Sequence, residues 1–198
     1  MSLRNASPSM DHWFGTDRMG RDIFVRILFG ARISLAVGCL AAVINLIVGT
    51  IYGGIAGYVG GKVDMVMMRI VDIIYSVPAM LYIVLIMLIF GASVISIMLG
   101  ISITCWIDMA RIVRQQVKSL KEQEFTMAAF VLGASPSRIL IKHLLINTMG
   151  QIIVTVTLMV PQAIFTEAWL SFLGVGISAP MASWGTLAQD ARQLIMTY

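Results

Sequence analysis

"ISLAVGCLAAVINLIVGTIYGGIAGYVGG", residues 33–61, contains no Asp, Glu, Lys or Arg. At about 1.5 Å per residue, a helix of this length exceeds one bilayer crossing. Two further intervals behave alike: 73–107 is free of charge, and 144–189 carries only Glu167. The 198 residues are 59% hydrophobic and 12% charged, where a soluble domain would carry about 25% charged residues. Lipid offers backbone amides and carbonyls no partners, so the spans must be helical. The expectation is an all-α, polytopic membrane protein.

"FGAS" (90–93) divides the second interval, while "LGVG" (173–176) and "SAP" (178–180) close the third. Four spans follow, at about 33–58, 73–90, 94–110 and 148–172, preceded by an amphipathic segment 1–32. In the first span Gly49, Gly53, Gly57 and Gly61 recur every fourth residue and share one helix face. Glycines so placed let two backbones approach closely; a poorly formed helix end is the alternative.

The interval 108–143 holds Arg111, Arg114, Lys118, Lys121, Arg138 and Lys142 against Asp108, Glu122 and Glu124, which makes this region, with the loop 111–147, cytoplasmic by the positive-inside rule. That would place both termini, and residues 1–32, outside. Arg4, Arg18, Arg21, Arg26 and Arg32 also precede the first span and pull the other way. The net charge of +4 therefore reads as a topology signal, and no aromatic-interleaved basic stripe suggests nucleic acid.

Motifs for chemistry fail one by one. "AGYVGGKV" (56–63) lacks the first glycine and the hydroxyl of a phosphate-binding loop. "GVGISA" (174–179) fits a dinucleotide fingerprint by letters but follows a membrane helix, not a strand. Cys39 and Cys105 lie in apolar stretches and read as small core residues, and His12 and His143 have no evident partner. No metal site, catalytic residue or bound cofactor is expected. Glu167 is the clear intramembrane charge, with Asp72 and Asp108 at span boundaries. Either Glu167 lines a translocation path or holds a gate by hydrogen bonding, or it sits solvated near the outer end of its helix.

The stretch "EFTMAAFVLGASPSRIL", residues 124–140, interrupts the apolar spans. Paired alanines, a break at Gly133-Ala134-Ser135-Pro136 and a second amphipathic run, 139–145, form a compact exposed element. Ser135 is available as a cap and Pro136 fits a first helical turn. Such a low-bulk element suits insertion into another protein's groove.

This stretch resembles the EAA loop of binding-protein-dependent ABC importer permeases: E-A-A, three residues, Gly, nine residues, I-x-L-P. Ala128, Ala129, Gly133 and Leu145 match, while Met127, His143 and Ile146 replace the Glu, Ile and Pro. Glu124 keeps a carboxylate three residues upstream. "FGTDRMGRDIFVRILFGARISL" (14–35) and "TEAWLSFLGVGISAPMASWG" (166–185) are similar to two blocks of the dipeptide, oligopeptide and nickel permease group.

The resemblance implies the transmembrane-domain core of a type I ABC importer over 33–198, in the bacterial plasma membrane. Its partners would be a homologous permease subunit forming a heterodimer, two ATP-binding subunits carrying ATP and magnesium, an extracytoplasmic substrate-binding protein, and lipid. Glu124, Ala128, Ala129, Gly133, Ala134, Ser135 and Leu145 would form the coupling element. One span before the first block and one after the last would be expected in the group and are not in this sequence. Peptides are the expected cargo, nickel the alternative, and an ion-coupled secondary transporter depending on Glu167 the more distant one.

Overall fold

The computed structural model describes residues 4–173, 176 and 181–195. Among them all regular structure is helical, beside one isolated bridge between Thr16 and Asp22. Helix α1 (Ile23–Ile44) opens at Asp22, whose Oδ1 accepts the Val25 amide at 3.0 Å. This satisfies one donor that a helix N-terminus leaves free. A π-helical turn, Asn45–Gly49, carries α1 into α2 (Thr50–Val59). The joined helix begins at Ile23, well before the charge-free interval, because Arg26 is matched by Asp17 at 2.9 Å and Asp190 at 3.0 Å.

Among the described residues three helices are long and apolar enough to cross a membrane: Ile23–Val59, Val94–Lys121 and Pro136–Phe172. A fourth stretch is bent by 70° between α3 (Gly61–Tyr75) and α4 (Ala79–Phe90). Val77-Pro78 makes this elbow, since proline pushes the residue before it out of helical geometry. Across Gly91 the chain turns into α5 (Val94–Thr104), which Ser93 caps by accepting the Ser96 amide at 3.1 Å.

A short break at Cys105-Trp106 separates α5 from α6 (Ile107–Lys121). Asn45 donates to the Cys105 carbonyl there at 2.6 Å. Counting charges ends this span near residue 110, but the helix continues to Lys121. Met109, Val113 and Val117 stay buried on one face while Arg and Lys side chains take the other. Helix α7 (Glu124–Val131) and the turn Pro136–Arg138 (α8) follow. A second π-helical segment, Ile139–Leu145, leads into α9 (Ile146–Phe172), and α10 (Trp184–Ile195) ends the described chain. The breaks expected at "LGVG" and "SAP" lie largely outside the described residues.

Two apolar clusters hold the helices together. One joins Val37, Ile83, Ile97, Ile101 and Leu170 of α1, α4, α5 and α9. The other joins Met109, Val113, Val117, Ala129, Ile139 and Leu144 around α6 and α7. Cys105 belongs to the first, whereas Cys39 is exposed on α1 and not in the core.

Glycine sets the approach of α2 to α6. A methyl group at Gly49 would lie 2.5 Å from Met109 Cβ, and one at Gly57 2.6 Å from the Arg114 carbonyl. At Gly53 it would overlap the Ala110 carbonyl. The pairs advance together along both chains, so the helices run parallel. Gly61 departs from the expected face: nothing lies within 4 Å of it, and its φ of 56° belongs to the turn starting α3. The four-residue repeat extends one position past the end of α2, where the helix face no longer exists.

Gly53→Ala should therefore destabilise the protein by about 1–3 kcal/mol through overpacking. Gly150→Ala, which meets open space on α9, should be neutral or stabilising by up to about 1 kcal/mol. Thermal unfolding in detergent compares the two; equal midpoints would remove the close-contact account.

Candidate functional site

The N-terminal block folds around Asp17. Its carboxylate accepts the Met19 and Arg21 amides at 2.8 and 2.9 Å and pairs with Arg21 at 2.7 Å. Burial works to raise its pKa, yet the Arg21 and Met19 hydrogen bonds outweigh it and hold the group below its ordinary value. His12 has a partner after all: Nδ1 lies 2.8 Å from Asp22 Oδ2. Nine intervening positions hid that pairing, because it forms only when the loop returns on itself, as at the Thr16–Asp22 bridge.

Glu167 is fully buried, at 0% exposure. This overturns the reading of a solvated carboxylate at a helix end. Ser34 of α1 donates to Oε2 at 3.0 Å, and Ser171, one turn on in α9, donates to Oε1 at 2.8 Å. Ser34 Oγ in turn accepts the Trp184 amide at 3.3 Å. Glu167 thus joins α1, α9 and the start of α10, and it lines none of the described cavities. A buried acceptor of this kind must be satisfied, or it would cost more than the hydrogen bonds return.

The coupling candidates separate into two faces. Glu124, in the first turn of α7, is exposed with Ala128, Gly133 and Ser135. Ala129 is buried, and Ala134 and Leu145 pack against the second cluster. Gly133, φ 80°, closes α7: its amide bonds the Phe130 carbonyl and the Ala134 amide bonds the Ala129 carbonyl, both at 3.0 Å. That paired pattern requires a left-handed residue after the helix, which glycine adopts without strain. Ser135 stands at the cap position, but its hydroxyl meets Ser137 Oγ at 3.4 Å and no backbone amide. The cap expected there is positional only.

Sequence reasoning missed the most exposed part of this element. Met127, Phe130, Val131 and Leu132 are 58%, 72%, 82% and 86% exposed. The available signal was "EFTMAAFV", a helix apolar on every side; such a helix needs cover on every side. Beside it, Tyr58, Lys121, Thr126, Met127, Phe130, Val131 and Ile139 line a cleft of about 330 Å³. Lys121 closes its edge by bonding the Tyr58 carbonyl at 2.6 Å, and Thr126 Oγ1 bonds the Leu120 carbonyl at 2.8 Å.

Behind α7, α6 is fixed on two sides. The glycine contact holds it to α2, and ion pairs hold it to α3: Asp64 with Arg114 and, at 3.5 Å, Lys118; Asp72 with Arg111 at 2.8 Å. Arg111 also stacks over the Tyr75 ring at 4.3 Å, next to the elbow.

Residues 49–196 match the family described as binding-protein-dependent transport system inner membrane component. The oligopeptide transport system permease protein OppC of Bacillus subtilis is 53% identical over 199 residues, covering 100% of this chain and 65% of the relative. The dipeptide transport system permease protein DppC of the same organism is 51% identical, covering 100% and 62%. Escherichia coli OppC is 47% identical, covering 96% and 63%. The chain thus spans less than two thirds of the length of these curated relatives.

Glu167→Gln, which keeps an acceptor for one serine and a polar atom for the other, should preserve the fold. Glu167→Leu should cost about 1–3 kcal/mol by stranding two buried hydroxyls. Unfolding midpoints of the two variants, measured side by side, check this; a Leu variant as stable as the Gln variant would contradict it.

Proposed function

Because the chain belongs to the binding-protein-dependent transport system inner membrane component family, we propose that it is a permease subunit of an ATP-driven importer of oligopeptides or dipeptides. It is a multi-pass protein of the bacterial plasma membrane. In this reading residues 1–32 face outward, 111–147 face the cytoplasm, and a second, homologous permease subunit completes the translocation path. A substrate-binding protein delivers the peptide outside. ATP and magnesium bind two separate ATPase subunits, and no reaction takes place on this chain. The names of the relatives, oligopeptide and dipeptide permeases, support the cargo.

The observation that carries the coupling role is the exposed apolar tip of α7 beside its cleft. An eight-residue helix with large side chains facing water fits a groove in a partner and has no purpose in an unpartnered loop. Closure of the ATPase dimer displaces α7. Ala129 and Thr126 pass that displacement to α6, and α6 carries α2 and α3 with it, since glycine contacts and ion pairs bind the three together. The elbow at Val77-Pro78 then moves relative to α9. Nucleotide acts by favouring one of two global arrangements, in proportion to its differential affinity for them.

Val131→Asp tests this at the exposed tip, where a substitution leaves the turn intact, whereas a side chain at Gly133 would also strain the left-handed turn by about 1–2 kcal/mol. At equal permease levels Val131→Asp should lower co-purification of the ATPase subunits by roughly tenfold or more, with insertion and thermal stability unchanged. Full recruitment by Val131→Asp would remove α7 as the coupling element. ATP-independent uptake following an ion gradient would instead favour a secondary transporter.

A further inference from the structure

Between the elbow and α9 lies a cavity of about 460 Å³, within the size range of small-ligand sites. Its walls include Ser76 at the elbow, Thr104 of α5, Asp108 of α6, and Gln162 and Thr166 of α9. From the sequence Asp108 reads as a span-boundary residue able to reach headgroups. In the structure α5 and α6 form one continuous candidate span from Val94 to Lys121, and Asp108 lies within its length, about 21 Å along from Val94. It is the deepest charge of that span, with Arg111, Arg114, Lys118 and Lys121 all on its far side. Its side chain is exposed, and among the described residues no hydrogen bond or ion pair reaches it. A bare carboxylate within a span must face water or a cation rather than lipid.

The neighbouring hydroxyls are oriented for the same kind of guest. Ser76 donates its proton to the Ile73 carbonyl at 2.7 Å, and Thr166 donates to the Gln162 carbonyl at 2.9 Å. Thr104 is turned toward the Ile101 carbonyl at 3.5 Å. With their protons directed at their own helices, these oxygens offer lone pairs. Beside the Gln162 amide, which can both donate and accept, these hydroxyl oxygens and one carboxylate are acceptors and fit a donor-only cation. A primary ammonium group, with three N–H donors and no acceptor, meets that description.

We infer that this cavity is a station in the translocation path for the ammonium group of a peptide in transit, held by Asp108 with the hydroxyls of Ser76 and Thr166. In a short peptide without lysine that group is the α-amine. The inference rests on the peptide-import reading and adds which end of the cargo this subunit holds. The station need only bind weakly, since a peptide bound too tightly would not leave.

The test uses the complete transporter in vesicles, with binding protein saturated by each of two cargoes: trialanine and N-acetyl-trialanine. ATP-dependent uptake is compared for wild type, Asp108→Asn and Asp108→Glu at equal assembly. Asp108→Asn should slow trialanine uptake by about tenfold while leaving N-acetyl-trialanine at its wild-type rate, and Asp108→Glu should recover most of the trialanine rate. An N-acetylated peptide carrying one lysine separates the sources: slowing by Asp108→Asn would show that a side-chain ammonium is held as well. Equal slowing of trialanine and N-acetyl-trialanine would overturn the proposal and make Asp108 a partner for a cation of the second permease subunit. No change for either would overturn it too. If wild type imports neither peptide with ATP, the peptide-import reading fails first.

Discussion

The contact of α2 with α6 governs much of what the other helices can do. Gly49, Gly53 and Gly57 bring the two backbones so close that a single methyl group would collide with a carbonyl or a methionine stem. In lipid, where apolar side chains gain little by meeting each other rather than the hydrocarbon, such approach is a main source of helix association. The basic half of α6 is thereby anchored to a span, and Asp64 and Asp72 fasten α3 to the same helix. What the chain presents on one side, α7, and what it encloses further in, the cavity at the elbow, are both attached to this one rod.

The helical, membrane-spanning character was legible because it rests on absence of charge, a property that needs no tertiary knowledge. Helix ends were less so. Charge counting began the first helix at residue 33 and ended the third near 110, yet the helices run from Ile23 and to Lys121. Arginine ends a charge-free window but does not end a helix when Asp17 and Asp190 match it or when it occupies the outer face. The same habit stopped the reading at Asp108, while the helix of α5 and α6 runs on past it to Lys121.

At the candidate site, the sequence named the motif residues but not which of them face inward. Ala129 faces inward and Ala128 outward though they are adjacent, and no spacing rule tells which of two alanines packs. Gly133 proved to serve its own turn by its left-handed φ, with no neighbour pressing on it. The partners of Glu167 were beyond sequence reasoning for a different reason: Ser34 is 133 positions away and one unremarkable serine among many. Such pairing is fixed by the antiparallel packing of α1 on α9.

The tip of α7 carries an implication for how many copies a cell can tolerate. Phe130, Val131 and Leu132 are greasy side chains that the fold leaves uncovered. A copy made in excess of its companions would keep them uncovered, available to sticky self-association and to the proteases that survey the membrane face. Under the proposed coupling role, the feature by which the subunit is driven also makes it a poor orphan, and balanced synthesis with its companions becomes a condition of its survival.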